Sequence, residues 1–282
     1  MQELRNNTFA IVEPFLSAFN YHTVLKTTID GSTSGHIYVN DLDSPKIVFV
    51  QFRHRAFIMG DLNASNMLDF ERFFTDEVFE NCRNTDASMV RLTAKPEAWL
   101  ISLESSLKTL KPIFFDYQIY QYQLSDSEGK PKIPEGFELR LVNKALVGET
   151  FEGKDELLEE MCSERESVNA FLDNSFGIVA FHGGKLAGWC LSEYNHKNRC
   201  EVGIATMPPF QKQGLAKAMT LEFKNLAYEQ GVDTVLWHCY KSNHPSQRTA
   251  LSAGFELIDE HKVINIYLEP AARFAVHGNV EF

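Results

Sequence analysis

Residues Glu201–Ala216 read EVGIATMPPFQKQGLA, and this stretch decides the fold of the chain around it. Val202, Ile204 and Thr206 alternate with Glu201, Gly203 and Ala205, the period-two pattern of a β-strand. Pro208-Pro209 then breaks the pattern, and Gln211-Lys212-Gln213-Gly214-Leu215-Ala216 opens a new one. Leu215, Met219, Phe223, Leu226 and Ala227 recur at helical spacing and stop before Gly231. A strand followed by a turn and a helix start sets a row of backbone N–H groups where a polyphosphate can sit. Gly214 has no Cβ and lets a ligand approach the main chain, and the small Ala216 leaves the same turn uncrowded. Phosphate held in this way needs neither a Walker lysine nor magnesium, and the chain contains no GxxxxGK(S/T) motif.

Downstream, Val235–Cys239 reads as the next strand, followed by Asn243, Ser246 and the run Ala250-Leu251-Ser252-Ala253-Gly254-Phe255. Together with Gln211-x-x-Gly214-x-Ala216, these residues resemble the acetyl-CoA loop and the following motif of the GCN5-related N-acetyltransferases. The combination EVGIAT, QKQGLA, WHCYKSNHPS and LSAGF is most similar to the bacterial subgroup that includes the zwittermicin A resistance acetyltransferase. The resemblance implies acetyl-CoA as co-substrate, its pyrophosphate held by the N–H groups of Gln213, Gly214, Leu215 and Ala216, with Gln211 and Lys212 beginning the loop. It also implies that pantetheine pairs with the strand edge at Ile204, Ala205 and Thr206, as an added strand would. The Ile204 N–H is then placed to donate to the thioester oxygen. The resemblance also implies a fork between this strand and Val235–Cys239, which depends on a distortion that Pro208-Pro209 would tolerate.

Glu201 occupies the place where many acetyltransferases carry a glutamate that takes a proton from the amine through water. An ordinary exposed strand glutamate is the alternative. The family's tyrosine general acid has no counterpart, because Ala250 stands in its position. Tyr240 and Ser246 lie near enough in sequence to substitute, although Ser246 also suits a helix N-terminal or pantetheine contact. Asn243 is expected to contact the cofactor arm or the strand exit, with a turn-forming asparagine as the alternative. Trp189 and Trp237 read as core aromatics.

At 282 residues, 44% of them hydrophobic, the chain is long enough for one large core or two ordinary ones. Its formal net charge of −11 argues against unspecific nucleic-acid binding and suits cationic small molecules better. The N-terminus MQELRNNTFA lacks the basic and apolar regions of a secretory signal, and no 18-residue apolar stretch follows, so a cytoplasmic protein with no membrane partner is expected. Cys82, Cys162, Cys190, Cys200 and Cys239 show no CxxC spacing. Strand alternation sends His238 and Cys239 to opposite faces, so no metal site is expected.

Ser125–Gly136, SDSEGKPKIPEG, carries the composition of a linker. The expected organisation is residues 1–124 as an N-terminal α+β domain, 125–136 as linker and 137–282 as the acetyltransferase-like domain. The fold class is α/β (α+β), with a C-terminal mixed sheet flanked by helices. Strands are expected at His36–Asn40, Ile47–Gln51, Ala56–Met59, Met89–Leu92 and Ile113–Tyr122, and helices around Phe9–Phe19, Ala64–Asn81 and Pro96–Leu110. This echo of the second half leaves two readings of the first, a degenerate repeat without a phosphate loop or an unrelated α+β domain.

Between Glu149 and Asp173 acidic residues far outnumber Lys154 and Arg165. They form either a rim that attracts a protonated amine or a solvated helix face. The function expected is acetyl-CoA-dependent N-acetyl transfer to the primary amine of a small molecule, an amino-containing antibiotic being the acceptor the subgroup suggests. The alternatives are an acyltransferase with a longer acyl donor and a non-catalytic acyl-CoA-binding or regulatory protein.

Overall fold

The structure is a computed structural model that describes residues 1–65, 68–85, 87–126 and 129–269. The first half contains β1 (Gln2–Glu3), a 3-10 stretch at Asn6–Phe19, α1 (Thr23–Ile29), β2 (His36–Val39), β3 (Ile47–Phe52) and β4 (Arg55–Gly60). It continues through a helix made of α2 (Phe70–Phe73), a π turn at Phe74–Val78 and α3 (Phe79–Arg83), then β5 (Met89–Lys95), α4 (Ala98–Ser106) and β6 (Ile113–Gln123). The second half contains β7 (Phe137–Leu141), α5 (Lys144–Gly148), α6 (Lys154–Ser163), α7 (Val168–Asn174), β8 (Gly177–His182), β9 (Lys185–His196) and β10 (Arg199–Thr206). After a 3-10 turn at Pro208–Phe210 come α8 (Leu215–Glu229), β11 (Thr234–Tyr240), α9 (His244–Ser252) and β12 (Glu256–Tyr267). The helix expected over Ala64–Asn81 starts later, at Phe70, where Asp69 caps it by accepting a hydrogen bond from the Arg72 N–H at 3.0 Å.

Two compact units divide the chain, and the division is not the single cut at 125–136 expected from the linker composition. Of the described residues, the first unit takes those of Met1–Tyr117, Tyr240–Ser242 and Glu260–Glu269, and the second takes those of Gln118–Cys239 and Asn243–Asp259. Strand β6 therefore begins in the first unit and ends in the second, and β12 does the reverse. Periodicity marks both as strands, but the neighbours a strand will bond to leave no trace in its own alternation.

Within the first unit the strand order is β1-β2-β3-β4-β5-β12 with β6 beyond. Pairing is antiparallel from β1 to β4, parallel between β4 and β5, and antiparallel between β5 and β12. The second unit repeats the scheme as β7-β8-β9-β10-β11-β6, antiparallel from β7 to β10 and parallel between β10 and β11. One strand order and one switch to parallel pairing recur in both, the topology that a degenerate repeat requires and an unrelated domain does not.

The first unit's core gathers Phe49, Ile58, Phe74, Trp99 and Ile264. In the second, Met219 and Phe223 of α8 and Ala250 of α9 pack with Val202, Val235 and Trp237 on one side of the sheet. On the other side Leu157 and Met161 of α6 and Phe171 of α7 pack with Trp189 and Leu191. Each large apolar side chain so buried stabilises its layer by about 1.5–3 kcal/mol. Together the two layers fix β10 from both faces.

Candidate active site

Strands β10 and β11 run parallel and in register from Arg199 opposite Thr234 to Val202 opposite Trp237. Beyond Val202, β10 stays paired with β9 as far as Thr206 opposite Gly188, and among the described residues its register with β11 goes no further. The edge of β10 at Gly203–Thr206 therefore opens toward β11. A distortion lies beside this opening, on β9. Glu201 faces Tyr194 and Val202 faces Ser192, which leaves Glu193 as the extra residue of a β-bulge. A bulge adds local twist and bends the strands around it. The two prolines form a 3-10 turn only after β10 has ended.

Alternation along β10 sorts the side chains. Val202 and Ile204 join the core under α8, and Ala205 joins the layer of α6 and α7. Glu201 and Gly203 share the face of Ala205. Glu201 is not the exposed strand glutamate of the alternative reading, being only 1% exposed. His238, two residues beyond its register partner Leu236, brings Nδ1 to 3.9 Å from the Glu201 carboxylate. Gly203 carries no side chain, and a Cβ there would run into the Glu193 carboxylate.

The loop after β10 is built for an open helix start. Lys212 and Gly214 take left-handed backbone angles, with φ of 61° and 80°. For the non-glycine Lys212 this conformation costs on the order of 1 kcal/mol or more. Gln211 Nε2 donates to the Thr206 carbonyl at 3.0 Å and Gln213 Nε2 to the Pro209 carbonyl at 3.3 Å, so both amides brace the turn. Helix α8 has no side-chain cap, and the space where a Cβ of Gly214 would stand is open to 4 Å. The N–H groups at a helix start have no acceptor within the helix. Leu215 is buried in the core and anchors this start, and Ala216 follows half-buried. Thr206 ends β10 with a buried hydroxyl that has no hydrogen-bond partner. Such a loop and such an edge fit a pyrophosphate and an extended amide chain.

The Asn243 side-chain oxygen accepts from the Ser246 N–H at 3.1 Å and caps α9, the role of the turn-forming alternative. Ser246 Oγ accepts from the Trp237 indole N–H at 2.8 Å. Burial pushes the Cys239 thiol up, and the Ser246 hydroxyl draws it partly back. Ala250, standing where the family has its tyrosine, is fully buried in the core of Trp237 and Phe255. The Tyr240 hydroxyl accepts from Arg91 Nε at 3.1 Å and from Asn265 Nδ2 at 2.9 Å within the first unit.

Acidic residues divide in a way their composition does not announce. Glu149 pairs with Arg140, Glu152 with Lys185 at 2.8 Å and Asp173 with Lys144 at 3.9 Å, all on the surface. Glu160 and Glu164 turn inward. The Tyr194 hydroxyl donates to Glu164, and the Arg165 guanidinium stacks 5.6 Å from the Tyr194 ring while Nε donates to Ser175 at 3.0 Å. Burial lowers the Arg165 pKa, opposed by Tyr194, Glu164, Glu166 and Glu193. Burial raises the Glu160 pKa above the usual carboxylate range and the neighbouring Glu164 adds to the effect, while Trp189 opposes it. A signal for this pair was present in the sequence. Glu160 and Glu164 share the helical stripe of Leu157 and Met161, spaced three and four apart.

Among the described residues no group of three or more His, Cys, Asp or Glu could hold a metal ion, and no helix is long and apolar enough to cross a membrane. A family model described as GNAT acetyltransferase matches residues 13–264. The Bacillus subtilis (strain 168) protein named Uncharacterized N-acetyltransferase YdfB is 23% identical over 271 residues, 93% of this chain and 97% of that protein. A GCN5-related N-acetyltransferase-like protein from Streptococcus suis superposes with a TM-score of 0.67 at 19% identity, covering 93% of this chain and 98% of the other. For a tandem GNAT protein from the clavulanic acid biosynthesis pathway the TM-score is 0.56 at 12% identity, with coverage of 95% and 98%. At these identities the solved structures speak for the fold, and their coverage takes in both units.

Proposed function

The chain belongs to the GNAT acetyltransferase family, and on that premise we propose that it transfers the acetyl group of acetyl-CoA to a primary amine of a small molecule. The observation that carries this reading is the fork beyond Val202 and Trp237, with a buried carboxylate, Glu201, at its base. The fork supplies a free strand edge, Ile204–Thr206, for the pantetheine amides, and the uncapped start of α8 supplies N–H groups for the pyrophosphate.

In the proposed reaction the amine nitrogen attacks the thioester carbon. The C–N bond forms, the carbonyl oxygen gathers charge beside the Ile204 N–H, and collapse breaks the C–S bond to release CoA thiolate. Glu201 takes the proton of the incoming ammonium through water. Thiols ionise near pH 8.5, so the thiolate leaves without strong assistance, and Ser246, whose oxygen already accepts from Trp237, has its own proton available to donate. Asn243 holds the start of α9 and so positions Ser246. Cytoplasmic placement and an amino-containing antibiotic as acceptor belong to this proposal as its setting and its narrowest form. The buried Ala250 favours a second reading, a non-catalytic acyl-CoA-binding protein. Turnover separates them, and binding does not. Calorimetry with acetyl-CoA is expected to show binding in both cases. Thiol release from acetyl-CoA across a panel of primary amines occurs only for the enzyme, and its absence with every amine would overturn the transferase.

A further inference from the structure

Glu193, the extra residue of the β9 bulge, sends its side chain across to Gly203 of β10. A Cβ on Gly203 would stand 3.1 Å from the Glu193 carboxyl carbon and closer still to Oε1, so the carboxylate rests against the main chain at the first residue of the open edge. Covalent geometry then leaves Oε1 no more than about 6 Å from the Ile204 nitrogen. The carboxylate occupies the face that Glu201 and Ala205 share, away from the core under α8. Glu201 is closed to solvent there, whereas Glu193, Ile204, Ala205 and Thr206 are all half-buried. An amine approaching the edge from this face meets Glu193 before Glu201. Bulges beside active sites re-aim a side chain, and this one aims a carboxylate.

Acetyl transfer to an ammonium has two protons to remove. The acceptor arrives as R–NH3+ and leaves as R–NH–CO–CH3, and Glu201 acting through water accounts for the first proton only. Attack forms the C–N bond and leaves a positive charge on nitrogen and a negative charge on the oxygen beside the Ile204 N–H. While the nitrogen keeps its charge it competes with the sulfur as leaving group. Loss of the second proton commits the intermediate to the amide. The bent path from the Ile204 N–H through the thioester oxygen and carbon to the reacting nitrogen, with contacts of about 3 Å, closes on a carboxylate at this distance. We propose that Glu193 is a second catalytic carboxylate, which takes the second proton directly from the nitrogen of the tetrahedral intermediate. The C–S bond then breaks, its electron pair goes to the sulfur of the CoA thiolate, and the half-buried Glu193 returns its proton to solvent. The inference rests on the transferase reading of the same site and adds a residue to it. Gly203 belongs to the arrangement, since a side chain there would displace the carboxylate.

The test follows thiol release from acetyl-CoA by the full chain with a panel of butylamine, ethanolamine, putrescine and glucosamine. Glu193→Gln, nearly the same shape, should lower kcat by about 10²-fold or more with acetyl-CoA affinity unchanged in calorimetry. In Glu193→Ala, added formate should restore the rate in proportion to its concentration, because the position is open to a small carboxylate. Glu201→Ala, at a position closed to solvent, should not respond. Gly203→Ala should lower kcat when Glu193 is present and cost nothing further in Glu193→Ala, where the group it displaces is gone. Glu193→Gln serves if the alanine variant fails to fold. Wild-type kcat in Glu193→Gln, a loss that formate leaves untouched, or a full additional cost of Gly203→Ala in the Glu193→Ala background each overturns the assignment and leaves the transferase standing. Glu193 would then serve only as a support for Arg165, whose charge it offsets. No thiol release by the wild type with any amine of the panel overturns both.

Discussion

The two units share a strand order, yet their parallel pairs are treated differently. In the first unit β4 and β5 stay in register from Arg55 opposite Arg91 to Met59 opposite Lys95, nearly the whole of β4. In the second, β10 and β11 part after Val202 although β10 continues to Thr206. The helix that follows differs in the same sense. Asp69 caps α2 with its own carboxylate, whereas α8 begins at Gly214 with no cap and open space above it. A closed strand pair has no edge to offer an extended ligand, and an acidic cap both fills the N–H groups and repels phosphate. The topology alone therefore makes no site. One bulge at Glu193 and one glycine at a helix start mark the difference.

The most drastic way to break the comparison is to separate the halves within 125–136. Because β6 and β12 each serve both units, neither residues 1–124 nor residues 137–282 should show a cooperative unfolding transition alone. A sharp melting curve from either piece would refute the exchange. Next in size, Glu201→Gln should lower kcat by about 10²–10⁴-fold and flatten the alkaline-side rise in rate, with acetyl-CoA affinity kept. A wild-type pH–rate profile in the variant would remove Glu201 from the chemistry.

Giving α8 an acidic start, as α2 has, sharpens the contrast. Gly214→Glu should weaken acetyl-CoA binding by roughly 10–100-fold in calorimetry, the loss of one to two charge-assisted hydrogen bonds. Unchanged affinity would mean that the pyrophosphate lies elsewhere. In the first unit Asp69→Ala should cost about 1 kcal/mol in denaturant unfolding and leave acetyl-CoA affinity untouched. Any change in that affinity would place a cofactor role where the strands are closed.

The smallest effect concerns Glu160. Its pKa is raised by burial and by Glu164, so the folded state holds this proton more tightly than the unfolded chain does. Stability from this group is present below the ordinary glutamate pKa and is lost as pH rises from there through the raised value. Glu160→Gln should therefore melt at a progressively higher temperature relative to wild type across that window, with the difference level above it. A difference independent of pH would show that the carboxyl titrates alike in the folded and the unfolded chain.

The sequence carried the second unit's elements closely, because proline, glycine and alternation act locally: Gly214 marks the start of α8, and β10 ends at Thr206 as its pattern does. It carried the loop for the same reason. The sequence did not show the distortion beside the fork, since an extra residue in a strand changes nothing in its apolar pattern and is defined only by a partner strand. Composition groups Glu160 and Glu164 with the other acids, as an attracting rim or a solvated face. A buried and an exposed glutamate are the same letter, and their difference is set by Trp189 and Tyr194 some thirty residues away. Asn243 and Ser246 were found by resemblance, and their capping geometry follows from their place at the start of α9.

The exchanged strands also impose an order in time. The ribosome makes β1 to β5 first, but the strand that pairs with β5 comes from the chain after Glu260. At ordinary rates of synthesis this partner emerges on the order of ten seconds later. Until then β5 presents an unpaired edge, the kind that invites pairing with another chain. The unit translated first is completed last, and the yield of folded protein depends on how well that edge is shielded during translation.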